Sequence, residues 1–191
     1  MRTSFYLSWL MPVLLAACAS TPPAPPKEIP PRPEREAISS FVFDGRAVLR
    51  QGQKADTIRI SWQHSPQEDD IGFASPLGHV MAELQRDQNG ARWTTSDGER
   101  YEARSPDPLI ARLTDTPVPI DALALWVTGR TRPGADNVRV DDLGRLVQAN
   151  DGGWWLSYQS YESELPNALP SVMEVRRGAL QIRLAIEAWQ L

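Results

Sequence analysis

The chain has 191 residues, a formal net charge of −4 and a single Cys. One Cys excludes an intrachain disulfide and the Cys sets that hold zinc or iron–sulfur clusters. The acidic balance gives no footprint for nucleic acid, and two His leave little for metal or triad chemistry. The length suits one domain with a substantial core. Composition thus leans away from an enzyme and towards a binding or structural role.

Residues 1–17 read as a secretory leader. Arg2 supplies a short basic region, and Phe5 to Leu15 form an apolar run. That run is far short of the roughly 20 residues a membrane-spanning helix needs. It ends in Leu15-Ala16-Ala17-Cys18, small residues directly before the sole Cys. This resembles the lipobox of bacterial lipoproteins, in which the thiol is acylated and the Cys becomes the mature N-terminus. The resemblance implies a covalent lipid at Cys18. With Ala19 rather than Asp following, it also implies the outer membrane, facing the periplasm.

Residues 18–36 read as the lipidated N-terminus and a tether. Positions 22–33 (PPAPPKEIPPRP) are mostly Pro and favour an extended polyproline II path. The tether could hold a domain up to roughly 50 Å from a membrane.

From residue 37 to 191 the pattern is period two. Phe41, Phe43, Ala47 and Leu49 alternate with Asp44, Arg46 and Arg50. Ile58, Ile60 and Trp62 alternate with Arg59, Ser61 and Gln63. Leu180, Ile182, Leu184 and Ile186 alternate with Gln181, Arg183 and Glu187. Such alternation marks antiparallel strands with one dry face. Asn89-Gly90, Asp97-Gly98, Asp151-Gly152-Gly153 and Arg177-Gly178 supply the turns. Eleven strands are predicted, at 41–50, 56–64, 70–75, 79–86, 91–96, 99–104, 137–141, 144–150, 153–160, 171–176 and 179–190.

One interval breaks the meander. Ser105 reads as an N-cap with Pro106 at the first helical position, and Leu109, Ile110 and Leu113 share a face. Pro119 opens a second helix, with Ile120, Leu123, Ala124 and Val127 on one side and Gly129 as its stop. A helical turn is also allowed at 34–40. The predicted fold is mostly β: an unclosed antiparallel barrel with a lid of short helices and an apolar cavity.

The remaining chemical candidates are weak. Glu68-Asp69-Asp70 reads as a solvated acidic turn and Asp141-Asp142 as a hairpin turn. His64 and His79 lack metal-ligand spacing, and Ser75 has no nucleophile-elbow context. Arg130, Arg132, Arg176 and Arg177 are either solvated or contact lipid phosphate or an acidic partner rim. No catalytic residue, metal or cofactor is expected.

Several motifs recur in a family order. They are Ser75-Pro76-Leu77-Gly78, then Pro117-Val118-Pro119 with Leu123, Trp126 and Gly129. Gly153-Trp154 with Tyr158 and Tyr161 follow, then Leu169-Pro170, and last Leu180, Ile182 and Trp189. Together with the lipobox they resemble the LolB family of outer-membrane lipoprotein receptors. That resemblance implies a non-enzymatic receptor that accepts acylated lipoproteins from the periplasmic carrier LolA. The receptor inserts them into the outer membrane, with phospholipid as a further partner. It also implies that Leu77, in the loop Pro76-Leu77-Gly78, protrudes and acts in membrane insertion. Phe43, Ile58, Ile60, Trp62, Leu84, Leu123, Trp126, Trp154, Leu156, Ile182 and Leu184 are candidate acyl-cavity residues; parity groups them without separating cavity lining from ordinary core. A monomer is expected. The alternative is a periplasmic lipid- or glycolipid-binding lipoprotein on the same scaffold.

Overall fold

The computed structural model describes residues 33–191. The leader 1–17, Cys18 and the tether up to residue 32 lie outside the described residues.

A 3-10 turn at Arg35–Ala37 leads into one sheet of eleven antiparallel strands. These are β1 (Phe41–Gln51), β2 (Lys54–His64), β3 (Asp69–Ala74), β4 (Val80–Asp87), β5 (Gly90–Thr95), β6 (Arg100–Ala103), β7 (Asp136–Val140), β8 (Leu146–Asp151), β9 (Trp154–Tyr161), β10 (Pro170–Arg177) and β11 (Leu180–Gln190). All eleven predicted strands are present. Their order is β6-β5-β4-β3-β2-β1-β11-β10-β9-β8-β7. The strands β6 and β7 are therefore the free edges, and the sheet is open. Two helices, α1 (Asp107–Thr114) and α2 (Ile120–Val127), lie in the connection between those edges.

The register lines up the inward residues in rows across the sheet. One row runs Tyr101, Trp93, Leu84, Ile71, Trp62, Phe43, Trp189. Another runs Ile58, Ala47, Leu184, Met173, Tyr158. A third runs Leu49, Ile182, Val175, Leu156, Ala149. Because side chains alternate at period two, each row is the dry face carried across neighbouring strands. Between the first two rows the register slips at Asp44/Gly45. There the backbones approach closely, and a Cβ on Gly45 would lie 2.5 Å from the Ala185 carbonyl oxygen. Only Gly fits this position.

Each helix starts one residue later than the sequence suggests, with Pro106 and Pro119 as the N-caps themselves. Gly129 (φ +78°) does stop α2. Its N–H donates to Trp126 O at 2.9 Å and Arg130 N–H donates to Leu125 O at 3.0 Å. This is the paired closure that a left-handed residue permits. The one-sided burial expected of α2 does not hold. Ile120, Ala122, Ala124, Trp126 and Val127 are all buried, and Leu123 and Leu125 are half-buried. This short apolar helix is buried on more than one side, and its Trp126 is hydrogen-bonded to Asp151 of β8 and Tyr158 of β9.

Candidate functional site

The inward rows and the helices share one apolar core. Of the eleven candidate acyl-cavity residues, Phe43, Ile58, Trp62, Leu84, Trp126, Trp154, Leu156 and Leu184 are buried in it. Ile60, Leu123 and Ile182 are half-buried against it. Four of the eleven — Phe43, Trp62, Trp126 and Trp154 — fall into two aromatic groups. Phe43 and Trp62 join Phe41, His64 and Trp189, with ring centroids 4.8–6.0 Å apart. Trp126 of α2 meets Trp154 of β9, centroids 5.8 Å apart.

Each group is pinned by a buried aspartate. Asp69 accepts from Trp62 Nε1 (2.8 Å), lies 2.6 Å from His64 Nδ1 and accepts from Arg86 Nε. Burial alone would raise its carboxyl. The hydrogen bonds from His64, Trp62 and Arg86 outweigh burial and hold it below the ordinary aspartate value of 3.8. Asp69 is thus no solvated turn residue, against the expectation for Glu68-Asp69-Asp70. It lies in phase with Ile71 and Phe73, and that parity is the signal that could have found it.

Asp151 does the same for the lid. It accepts from Trp126 Nε1 (2.7 Å), from Arg132 N–H (2.9 Å) and from Arg132 Nε (2.8 Å). Burial pushes its carboxyl up, but the Arg132 backbone, Trp126 and the Arg132 side chain together keep it lowered. Arg130 reaches back to the Ile38 carbonyl at 2.7 Å. Tyr158 OH donates to Trp126 O at 2.9 Å. The basic stretch after Gly129 therefore ties the end of α2 to Ile38 before β1 and to Asp151 at the end of β8, with the Arg132 side chain still 40% exposed. Arg177 lies with its guanidinium 5.7 Å from the Trp154 ring centre, and Arg176 pairs with Glu174. Asp141 is the expected turn residue, accepting from the Leu143 and Arg145 backbones.

The other helix is held differently. Arg112 of α1 stacks 3.4 Å over the Tyr101 ring on edge strand β6. Asp107 accepts from Ile120 N–H at 3.2 Å, which ties α1 to α2 rather than to the sheet.

Leu77 stands apart from all of this. It is 86% exposed in the β3–β4 loop, and Val80 and Met81 beside it are also exposed. The loop is a defined turn: Gly78 N–H donates to Ser75 O, and His79 N–H to Ser75 Oγ at 3.2 Å. Ser75 and His79 serve that turn. The register places the loop at the same end of the sheet as the β8–β9 and β10–β11 turns.

Neither of two hollows found among the described residues is lined by the candidate set beyond Ile60. One, of about 470 Å³, is polar and runs past Gln63, Asp70, Gln85 and Arg92. The other, about 290 Å³, lies at Arg59, Ile60 and Gly72 beneath the Leu77 loop. Among the described residues no group of three or more His, Cys, Asp and Glu is placed to hold a metal ion.

A family model described as outer membrane lipoprotein LolB matches residues 39–189. The outer-membrane lipoprotein LolB of Azoarcus sp. (strain BH72) is 36% identical over 178 residues, covering 93% of this chain and 90% of that protein. The protein of the same name from Dechloromonas aromatica is 34% identical over 183 residues, covering 93% and 92%. Among solved structures, a DUF1329 family protein from Desulfovibrio piger matches with a TM-score of 0.52 at 9% identity. It covers 82% of this chain and 87% of that one, a likeness of fold alone.

Proposed function

Because the chain belongs to the LolB family of outer-membrane lipoproteins, we propose that it receives acylated lipoproteins from the carrier LolA and inserts them into the outer membrane. Lipid on Cys18 anchors it there, on the periplasmic face, and it works as a monomer.

The physical requirement is simple. Each methylene kept from water is worth about 0.8 kcal/mol, so one long acyl chain carries on the order of 10 kcal/mol. Cargo must pass from one apolar enclosure to the next, and the sequence has no phosphate loop with which to spend nucleotide energy. A receptor therefore needs a broad aliphatic and aromatic surface that holds chains without fixed ionic anchors. The inward rows under α1 and α2 are such a surface. Lifting the helices exposes it, and the sheet, being open between β6 and β7, does not have to break.

One observation carries the reading furthest. A leucine is left 86% exposed at the tip of an ordered loop, next to exposed Val80 and Met81. Apolar side chains gain nothing from water but gain by entering a bilayer. Leu77, flanked by Pro76 and Gly78, is the insertion residue. Leu77→Glu should leave the unfolding midpoint and the acceptance of cargo unchanged, because the side chain is almost wholly in solvent. Release of cargo into liposomes should fall at least tenfold. Normal delivery by that variant would refute the assignment. Depleting the protein in its native cell should leave lipoproteins on their carrier in the periplasm, and unaltered sorting would refute the function.

A further inference from the structure

Trp62, Trp126 and Trp189 each donate their indole N–H to an oxygen, of Asp69, Asp151 and Pro170 respectively. Trp154 does not. Its side chain is fully buried, and among the described residues its Nε1 is the one buried side-chain nitrogen or oxygen without a hydrogen-bond partner. A buried donor left unmade costs the fold more than a made bond returns, so natural cores rarely keep one without a use.

The surroundings suggest the use. Trp154 is the first residue of β9, at the end of the sheet from which the Leu77 loop projects. Its ring lies against Trp126, the α2 residue that Asp151 holds down. Leu156 and Tyr158 continue the same inward face along β9. Lifting α2 would uncover the indole at the head of an apolar track. Acyl chains are apolar along their length and polar at one point, the carbonyl that joins each to its glyceryl group. An N–H donor at the start of the track matches that point, and the track behind it matches the tail.

We propose that Trp154 Nε1 donates a hydrogen bond to an acyl-ester carbonyl of the cargo and so sets how far the chains enter. This rests on the acyl-binding reading above. No covalent step is involved, and the residue is a specificity determinant rather than part of the general apolar wall.

The test uses the full-length, lipid-anchored chain in liposomes of dialkyl-ether phospholipid, which contribute no ester carbonyls of their own. Two lipopeptide probes carry photoreactive chain ends on an S-glyceryl cysteine. One has ester-linked chains, the other ether-linked chains of the same length, and the fraction cross-linked to protein is the readout. The wild-type chain should capture the ester probe about fivefold better, the worth of one neutral hydrogen bond. The variant Trp154→Phe keeps an aromatic ring and loses the donor, and it should capture both probes alike, at the wild-type level for the ether probe. Equal capture of the two probes by the wild-type chain would overturn the proposal without any variant. Persistence of the fivefold preference in Trp154→Phe would also overturn it. Capture of neither probe by the wild-type chain would overturn the acyl-binding reading as well.

Discussion

Asp69 and Asp151 are the residues on which the interior is hung. Each sits among aromatic side chains and is kept charged by the donors around it. The Asp69 side chain is wholly buried and that of Arg86 is 17% exposed. Asp69→Asn removes the charge from a buried pair and should cost about 3 kcal/mol in urea unfolding at pH 7. The pH dependence has a definite sign. Both carboxyls are depressed on folding, so their contribution is fully present above the ordinary value of 3.8 and fades as pH falls through the lower folded values. The wild-type chain should lose stability steeply below about pH 4. Asp69→Asn should show a shallower slope in that window, and parallel curves for the two chains would show that Asp69 carries no such linkage. Asp69 was hidden in the sequence because an acidic triplet beside Ser65-Pro66 looks like solvated turn material. Its phase with Ile71 was visible, but composition spoke louder than parity.

At the scale of elements, the strands were legible and the helical insert only partly so. Alternation such as Leu180, Ile182, Leu184, Ile186 is a local signal, and the register then follows from two-residue turns like Gly52-Gln53 and Gly178-Ala179. The seating of α2 is not local. Whether Ala122 and Trp126 are buried depends on the curl of a sheet whose strands lie before and after them in the chain. Arg130 and Arg132 were opaque for the same reason, since their partners Ile38 and Asp151 are distant in sequence. Their role gives the lid two unequal halves: α2 is bonded to the sheet, whereas α1 reaches it through packing and the Arg112–Tyr101 stack. Asp151→Ala should therefore speed amide hydrogen exchange across 120–132 by at least tenfold, with β1 and β11 amides unchanged. Equal acceleration in the strands would mean that Asp151 stabilises the whole fold and is not specific to the lid.

Taken whole, the molecule solves a problem of storage and release with one sheet. An open edge lets the interior be reached. The edge at β7 is guarded against sticking to other sheets: all five residues are exposed, Asp136, Asn137 and Arg139 are polar, and Asn137 breaks the pairing at φ +51°. The inward apolar rows run from β6 to β8, and the most exposed large apolar side chain among the described residues, Leu77, lies on a loop at their end. On the proposed roles, acceptance at the inward rows and insertion at Leu77 use separate places, so they should separate by mutation.

On the proposed function, acyl chains lie against the inward rows beneath the helices. Methyl NMR of the full-length chain with a lipopeptide spin-labelled at its chain ends reads this directly. Strong broadening is expected at Leu84, Leu156 and Leu184, with Val138 and Val140 on β7 spared. Broadening confined to Val138, Val140 and other outer methyls, with the interior untouched, would contradict it.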